Sequence, residues 1–341
     1  IRSEKPMPFY YDFGYTDQAL QAHLPVTKGL RLFVNAGTTT MDDWDPRLFL
    51  LPHKERADYS LYGKAVADLG PKLELTGSAV AFRSEFDRYQ SQWKFRLDDY
   101  RSDLRHGNLG TASLSWLPED RFLGKVQVSR FYTDKTYGVR EPGPVNIWED
   151  FQFRDTSEYG LPVIDENNPW HVVENRFWYF FTRGTYDGYR YPATDHWNSK
   201  LLATAQVTPH HQLTAGADAD LYDVSSRWYR WLKSNSPFSD KHQFRPVQVS
   251  AYVQDKIEHE GLYADIGLRY DHFRPNAAYW DGTLSLDSSE LWPQATPKSG
   301  LSPRAGASFR VTDWLFARAN YGYYLQYPLF SALYDNTVHP M

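Results

Sequence analysis

The sequence predicts an all-β fold, an antiparallel barrel that crosses a membrane with its strands. Three observations carry this. Apolar residues recur at every second position along most of the chain. Short turns alternate with long polar connections. Aromatic residues make up 17% of the 341 residues, from 20 Phe, 12 Trp and 25 Tyr, roughly twice the share of an average soluble domain. A helical membrane protein is excluded, because the longest stretch free of Asp, Glu, Lys and Arg, 201–217, contains Pro209, His210 and His211. That stretch falls short of the roughly 18 to 20 apolar residues of a spanning helix.

The elements follow in order. Strands are predicted at 14–24 and 30–40 around Pro25–Gly29, then at 57–69 and 73–83 around Gly70-Pro71-Lys72. The next pair is 104–116 with 122–134, where Leu109 falls on the wrong face, and then 197–207 with 212–224 around Pro209-His210-His211. The clearest hairpin spans 245–274. Val247, Val249, Ala251, Val253 and Ile257 alternate with Gln248, Ser250, Gln254 and Lys256. After the turn Glu258–Gly261, Leu262, Ala264, Ile266, Leu268 and Tyr270 alternate with Asp265, Gly267, Arg269 and Asp271. A last pair, 300–310 with 315–326, brings the total to about 12 strands.

Between hairpins the expected loops are 41–56, 84–103, 135–196, 225–244 and 275–299, rich in Trp, Tyr, Asp, Asn and Pro. Strands of 11 to 13 residues exceed the usual five or six of a globular sheet and fit a tilted membrane strand with some overhang. The face opposite the apolar one carries Asp218, Asp220, Arg318, Asn320 and Gln326, costly in a dry core but acceptable against a wet or plugged lumen.

With no cysteine there is no disulfide framework, thiolate zinc site or cysteine nucleophile. The net charge of −5 without a basic block argues against nucleic acid as a partner. No nucleophile elbow, phosphate-binding Gly loop or HExxH helix occurs, so no catalytic residue is nominated and no enzyme activity is expected. No cofactor and no metal site is expected either. Met41–Asp45 carries three carboxylates but lacks EF-hand spacing, and is read as a solvated loop. His210-His211 is read as an exposed polar turn.

Gln248–Lys256 followed by Gly267–Asp271, and Leu301–Gly306 followed by Ala319-Asn320-Tyr321-Gly322 and Gln326-Tyr327-Pro328, resemble the TonB-dependent outer-membrane transporters. The remaining strands resemble that family in pattern. The resemblance implies residence in the bacterial outer membrane and a barrel of about 22 strands filled by a plug domain. It also implies uptake of a scarce ligand (siderophore, cobalamin, glycan or peptide) driven by an inner-membrane energy-coupling complex of the TonB type. Membrane lipid and lipopolysaccharide would surround the barrel. Neither a plug nor a closing strand ending in an aromatic can be located, so 1–341 reads as one barrel domain or a section of one, with a complete 12-stranded barrel as the competing account. Two other functions stay open: an outer-membrane barrel enzyme of phospholipase or protease type, and a soluble carbohydrate-binding β protein.

Ligand contacts are expected in the loops. Trp170, His171 and Arg176 in 135–196, with Trp228 and Trp231 in the next loop, combine flat rings with cations suited to sugars or planar ligands. The alternative role of these rings is packing between loops, and for Phe177–Phe181 a place in the interfacial aromatic girdle on a strand continued over 176–186, or such packing.

Overall fold

In the computed structural model, residues 13–44, 53–139, 188–230, 238–278 and 293–328 are described, with 5–6, 49–50, 172–175, 178–181, 186, 330 and 333 besides. The described chain is nearly all strand. Twelve long strands form a meander: β1 (Thr16–Thr27), β2 (Leu30–Met41), β3 (Arg56–Gly70), β4 (Leu73–Asp87), β5 (Arg101–Glu119), β6 (Phe122–Val139), β7 (Gly188–Thr208), β8 (His211–Arg230), β10 (Val247–His259), β11 (Leu262–Arg274), β12 (Lys298–Thr312) and β13 (Leu315–Gly322). A thirteenth, β9 (Phe238–Phe244), pairs only with β8. Every other strand pairs antiparallel with its neighbour along the path, and β1 and β13 stand at the two ends of an unclosed sheet. No helix among the described residues is long and apolar enough to cross a membrane, which leaves crossing by strands untouched.

All twelve predicted strands are present, with ends displaced by at most three residues at the short-turn rim and by more in places at the long-loop rim. Five of the six short-turn hairpins carry a register shift just before the turn, at Pro25/Thr27, Asp68/Gly70, Trp116/Glu119, Gln206/Thr208 and Arg310/Thr312. Such bulges increase the local twist and close the turn. The sixth, between β10 and β11, is a two-residue turn in which Glu260 (φ 40°) and Gly261 (φ 87°) both adopt positive φ, the backbone a type I′ hairpin requires.

At the other rim most strands run further than predicted, while β1 begins at Thr16 rather than 14 and β13 ends at Gly322 rather than 326. β7 and β8 reach 21 and 20 residues, while a tilted membrane strand needs about 9 to 11. Parts of the expected loops 84–103, 135–196 and 225–244 are therefore strand. The physical reason is that these extensions are polar or aromatic on both faces, as in Tyr189-Arg190-Tyr191 and Arg101-Ser102-Asp103, so period two carries no polarity contrast there. Pro246, fully buried and lacking an N–H, separates β9 from β10 and lets β8 pair with each in turn.

Along the spanning segments one face is apolar and bare: Leu20, Leu61, Leu201, Leu221, Ile266 and Leu301 are each more than half exposed. The buried apolar residues, Phe86, Trp93, Leu97, Leu104, Val139, Phe273 and Ala277, instead gather at the long-loop rim. A water-soluble sheet of this size would bury its apolar face. The opposite face is polar. On it Asp220 receives hydrogen bonds or close contact from Asn198 Nδ2 and His196 Nε2, each at 2.7 Å. Arg269 donates to Asp271 at 2.9 Å and to Ser250 at 2.7 Å. Leu109, the residue out of phase with the apolar face, lines this polar face beside Thr111, Gln127 and Phe131.

Within the segment Met41–Asp45, read as a solvated loop, Asp42 is exposed and Asp45 lies outside the described residues, but Asp43 is not solvated. Asp43 is 2% exposed and pairs with Lys54 Nζ at 2.8 Å, while Trp44 Nε1 donates to the carbonyl of Asp87 at 2.9 Å. A buried charge pair of this kind satisfies both partners and ties the segment to the start of β3, while the Trp44 hydrogen bond ties it to the end of β4. In the turn expected to be exposed and polar, His211 Nδ1 lies 2.8 Å from Asp255 Oδ2 and the His210 ring packs edge-on against His259 at 4.8 Å.

Candidate functional site

The strand register assembles a row of side chains on the polar face at the long-loop rim. Trp228 on β8 stands opposite Arg190 on β7, which stands opposite Tyr137 on β6. Tyr137 faces Asp103 on β5, Asp103 faces Phe86 on β4, and Phe86 faces Arg56 on β3. Each of these shares parity with polar-face residues lower on its own strand, such as Asn198, Ser129, Thr111 and Ser84. Six strands thus present rings and charges at one level.

Cations are stacked on the rings. The Arg190 guanidinium lies 5.5 Å from the centre of Trp228, and Arg101 lies 4.1 Å from that of Tyr137. Around Phe86 stand Arg88 at 5.0 Å, Arg105 at 5.2 Å and Arg56 at 5.9 Å, with Trp44 edge-on at 5.7 Å. Such contacts are each worth about 0.5 to 2 kcal/mol and hold the guanidinium planes in place.

The charge balance is uneven. Asp103 is fully buried and receives both forks of Arg88, at 3.1 Å each, and Arg101 at 2.7 Å, with Lys135 at 3.5 Å. One carboxylate therefore serves three cations. Arg105 adds a fourth: it is exposed, and no ion pair joins it among the described residues. A wall with surplus positive charge, rigid guanidinium planes and flat rings suits an anionic, planar or multidentate ligand.

A second layer braces the wall. Trp93 and Tyr100 stack at 5.5 Å, and Tyr186 meets Tyr100 edge-on at 5.4 Å. Burial pushes the Tyr100 hydroxyl above its ordinary pKa, and neighbouring Tyr186 adds to the effect, so it stays protonated through the neutral range.

Of the residues nominated from the sequence, Trp228 belongs to this row, on strand rather than loop, half-buried against Arg190. Trp170, His171, Arg176 and Trp231 lie outside the described residues. Phe177 does too, while Trp178–Phe181 pairs with Val172–Asn175 in a separate short ribbon. Arg56, Phe86, Arg88, Arg101, Asp103 and Arg105 were missed. Their one sequence signal is the density of Arg at the ends of β3 to β5, which becomes a site only when register aligns it.

The TonB-dependent receptor-like β-barrel family matches residues 57–340. The chain belongs to that family. Solved structures agree on the fold. The ferripyoverdine receptor of the outer membrane of Pseudomonas aeruginosa, bound to ferripyoverdine, is 14% identical with a TM-score of 0.63 over 91% of this chain and 40% of its own. The copper transporter OprC is 10% identical with a TM-score of 0.62 over 94% of this chain and 44% of its own. The alcaligin outer-membrane receptor FauA from Bordetella pertussis is 14% identical with a TM-score of 0.55, over 94% of this chain and 42% of its own. This member of the TonB-dependent receptor family thus spans less than half the length of these structures. No curated protein matches the sequence. The family lies in the outer membrane, and the matching structures are described as receptors and transporters, not enzymes.

Proposed function

We propose that this chain is a barrel section of an outer-membrane receptor that takes up a scarce anionic ligand by TonB-dependent transport, and that the Trp228-to-Arg56 row is part of its ligand-binding wall. The observation that carries the reading is the surplus of fixed cations around Asp103 and Phe86, open to the polar face. A chelated metal complex whose ligand groups are deprotonated has the matching charge and breadth. Cobalamin, glycan and peptide are the competing ligand classes. The loop residues Trp170, His171, Arg176 and Trp231 are proposed as further ligand contacts, together with Trp228 at the end of the row. Energy coupling would come from an inner-membrane TonB-type complex. Lipid would contact the apolar face, and lipopolysaccharide the boundary where Arg130 pairs with Asp195 at 2.6 Å and lies 5.5 Å from the Trp197 ring.

In this reading the long-loop rim faces the outside of the cell and the short turns face the periplasm. Single cysteines in the full-length protein test it on intact cells with a membrane-impermeant maleimide. Phe95→Cys, at an exposed position on the long-loop rim, should label, and Asp313→Cys, in the highly exposed β12–β13 turn, should label only after lysis. The reverse pattern would overturn the orientation and with it the placing of the ligand wall.

A further inference from the structure

Behind the cationic row, three ligand-type side chains converge that the uptake reading does not use. One donor atom each of His53, Glu55 and Asp87 lies within 4.8 Å of the other two. His53 precedes β3, Glu55 adjoins its first residue, and Asp87 ends β4, so by alternation Asp87 points away from the face that carries Phe86. We propose that these three residues form a binding site for a divalent transition-metal ion of the zinc or cobalt type, clamping the segment between β2 and β3 to the end of β4.

The His53 side chain is the independent observation. It is more than nine-tenths buried, its Nε2 is buried without a hydrogen-bonding partner, and its Nδ1 stands 3.9 Å from Asp87 Oδ2, too far for a hydrogen bond. An imidazole taken from water and left without hydrogen-bonding partners is costly, and a metal ion bound at the nitrogen that faces Glu55 and Asp87 offsets part of that cost. Its backbone is held at φ 60°, an uncommon conformation for a non-glycine residue.

The donor set fits a borderline cation. One imidazole nitrogen and two carboxylates neutralise a divalent charge and suit zinc or cobalt better than calcium or magnesium, which take oxygen ligands. Ligands about 2.0 to 2.2 Å from such an ion stand closer together than 4.8 Å, so the carboxylates must swing inward by about an ångström. The backbone beneath them is already fixed: Asp87 N donates to the Glu55 carbonyl at 2.9 Å and Trp44 Nε1 to that of Asp87. Ser102 Oγ donates to Asp87 Oδ1, orienting the carboxylate from outside as outer partners of metal ligands do. The nearby Lys54 ammonium pairs with Asp43 at 2.8 Å.

Co²⁺ is the probe, titrated into the full-length detergent-solubilised protein freed of metal by chelation and followed by visible absorption, with Zn²⁺ as competitor. One Co²⁺ per chain should bind and be displaced by Zn²⁺. The near-isosteric variants Glu55→Gln and Asp87→Asn and the variant His53→Ala should each weaken it at least about tenfold, and Ser102→Ala by about tenfold. Heat-modifiable migration on gels confirms that each variant is a folded barrel. Absence of Co²⁺ binding, or binding that the folded Asp87→Asn and Glu55→Gln variants leave unchanged, would overturn the site. Neither result bears on the cationic row, whose ligand binding is read separately.

Discussion

Ile266→Arg in the full-length protein should destabilise the barrel in lipid by about 2 to 4 kcal/mol, whereas Gln248→Arg should cost less than about 0.5 kcal/mol. Ile266 is 55% exposed on the apolar face, opposite Ala305 and Asp255 in the ladder, and the Asp255 carboxylate is already engaged by His211 Nδ1 at 2.8 Å. A guanidinium there would sit in hydrocarbon or drag water and headgroups towards it. Gln248 is on the neighbouring strand with opposite parity, between Asp220 and Phe273. An arginine at that position faces the polar interior and gains a carboxylate neighbour. Unfolding in urea from lipid vesicles reads both variants on one scale. Equal costs would show that the bare apolar face does not meet lipid.

Arg105→Ala should weaken ligand binding by about tenfold to a hundredfold while leaving the barrel folded. The side chain is exposed, no ion pair joins it among the described residues, and its guanidinium lies 5.2 Å from the centre of the Phe86 ring, so removing it takes away no charge partner of a described residue. Arg105→Lys keeps the charge but loses the planar fork, and should fall between the two. Affinity of the parent protein should drop as salt rises, and the drop should be shallower in Arg105→Ala. Asp103→Asn is a poor alternative probe. It would leave Arg88 and Arg101 facing a buried amide and unsettle the wall itself. A panel of ferric siderophores, cobalamin, oligosaccharides and peptides, read by quenching of intrinsic Trp fluorescence, identifies the ligand for this test. A best ligand that is neutral and indifferent to Arg105→Ala would remove the row from the binding site.

The spanning strands were legible because lipid on one side and water on the other impose period two, as in Leu262 to Tyr270 against Asp265 to Asp271. Where strands leave the apolar zone that constraint ends, and Arg101–Asp103 and Tyr189–Tyr191 read as loop although they are ladder. The binding row was illegible for a different reason. Arg56, Phe86, Asp103, Tyr137, Arg190 and Trp228 are far apart in sequence, and only the register of five strand pairs brings them level. Trp228 was singled out by its composition, and its partner Arg190 is what places it. The Met41–Asp45 carboxylates misled in the opposite direction: local acidity read as solvation, but Asp43 is buried by a pairing with Lys54 that spacing alone does not announce.

The central claim is energised uptake through this barrel, and the most direct measurement is accumulation of the identified ligand by cells carrying the full-length protein, with and without TonB. Surface binding should persist in both strains, and accumulation should fall to the level of cells lacking the receptor when TonB is absent. Accumulation that continues undiminished without TonB would contradict the account and show a passive pore instead.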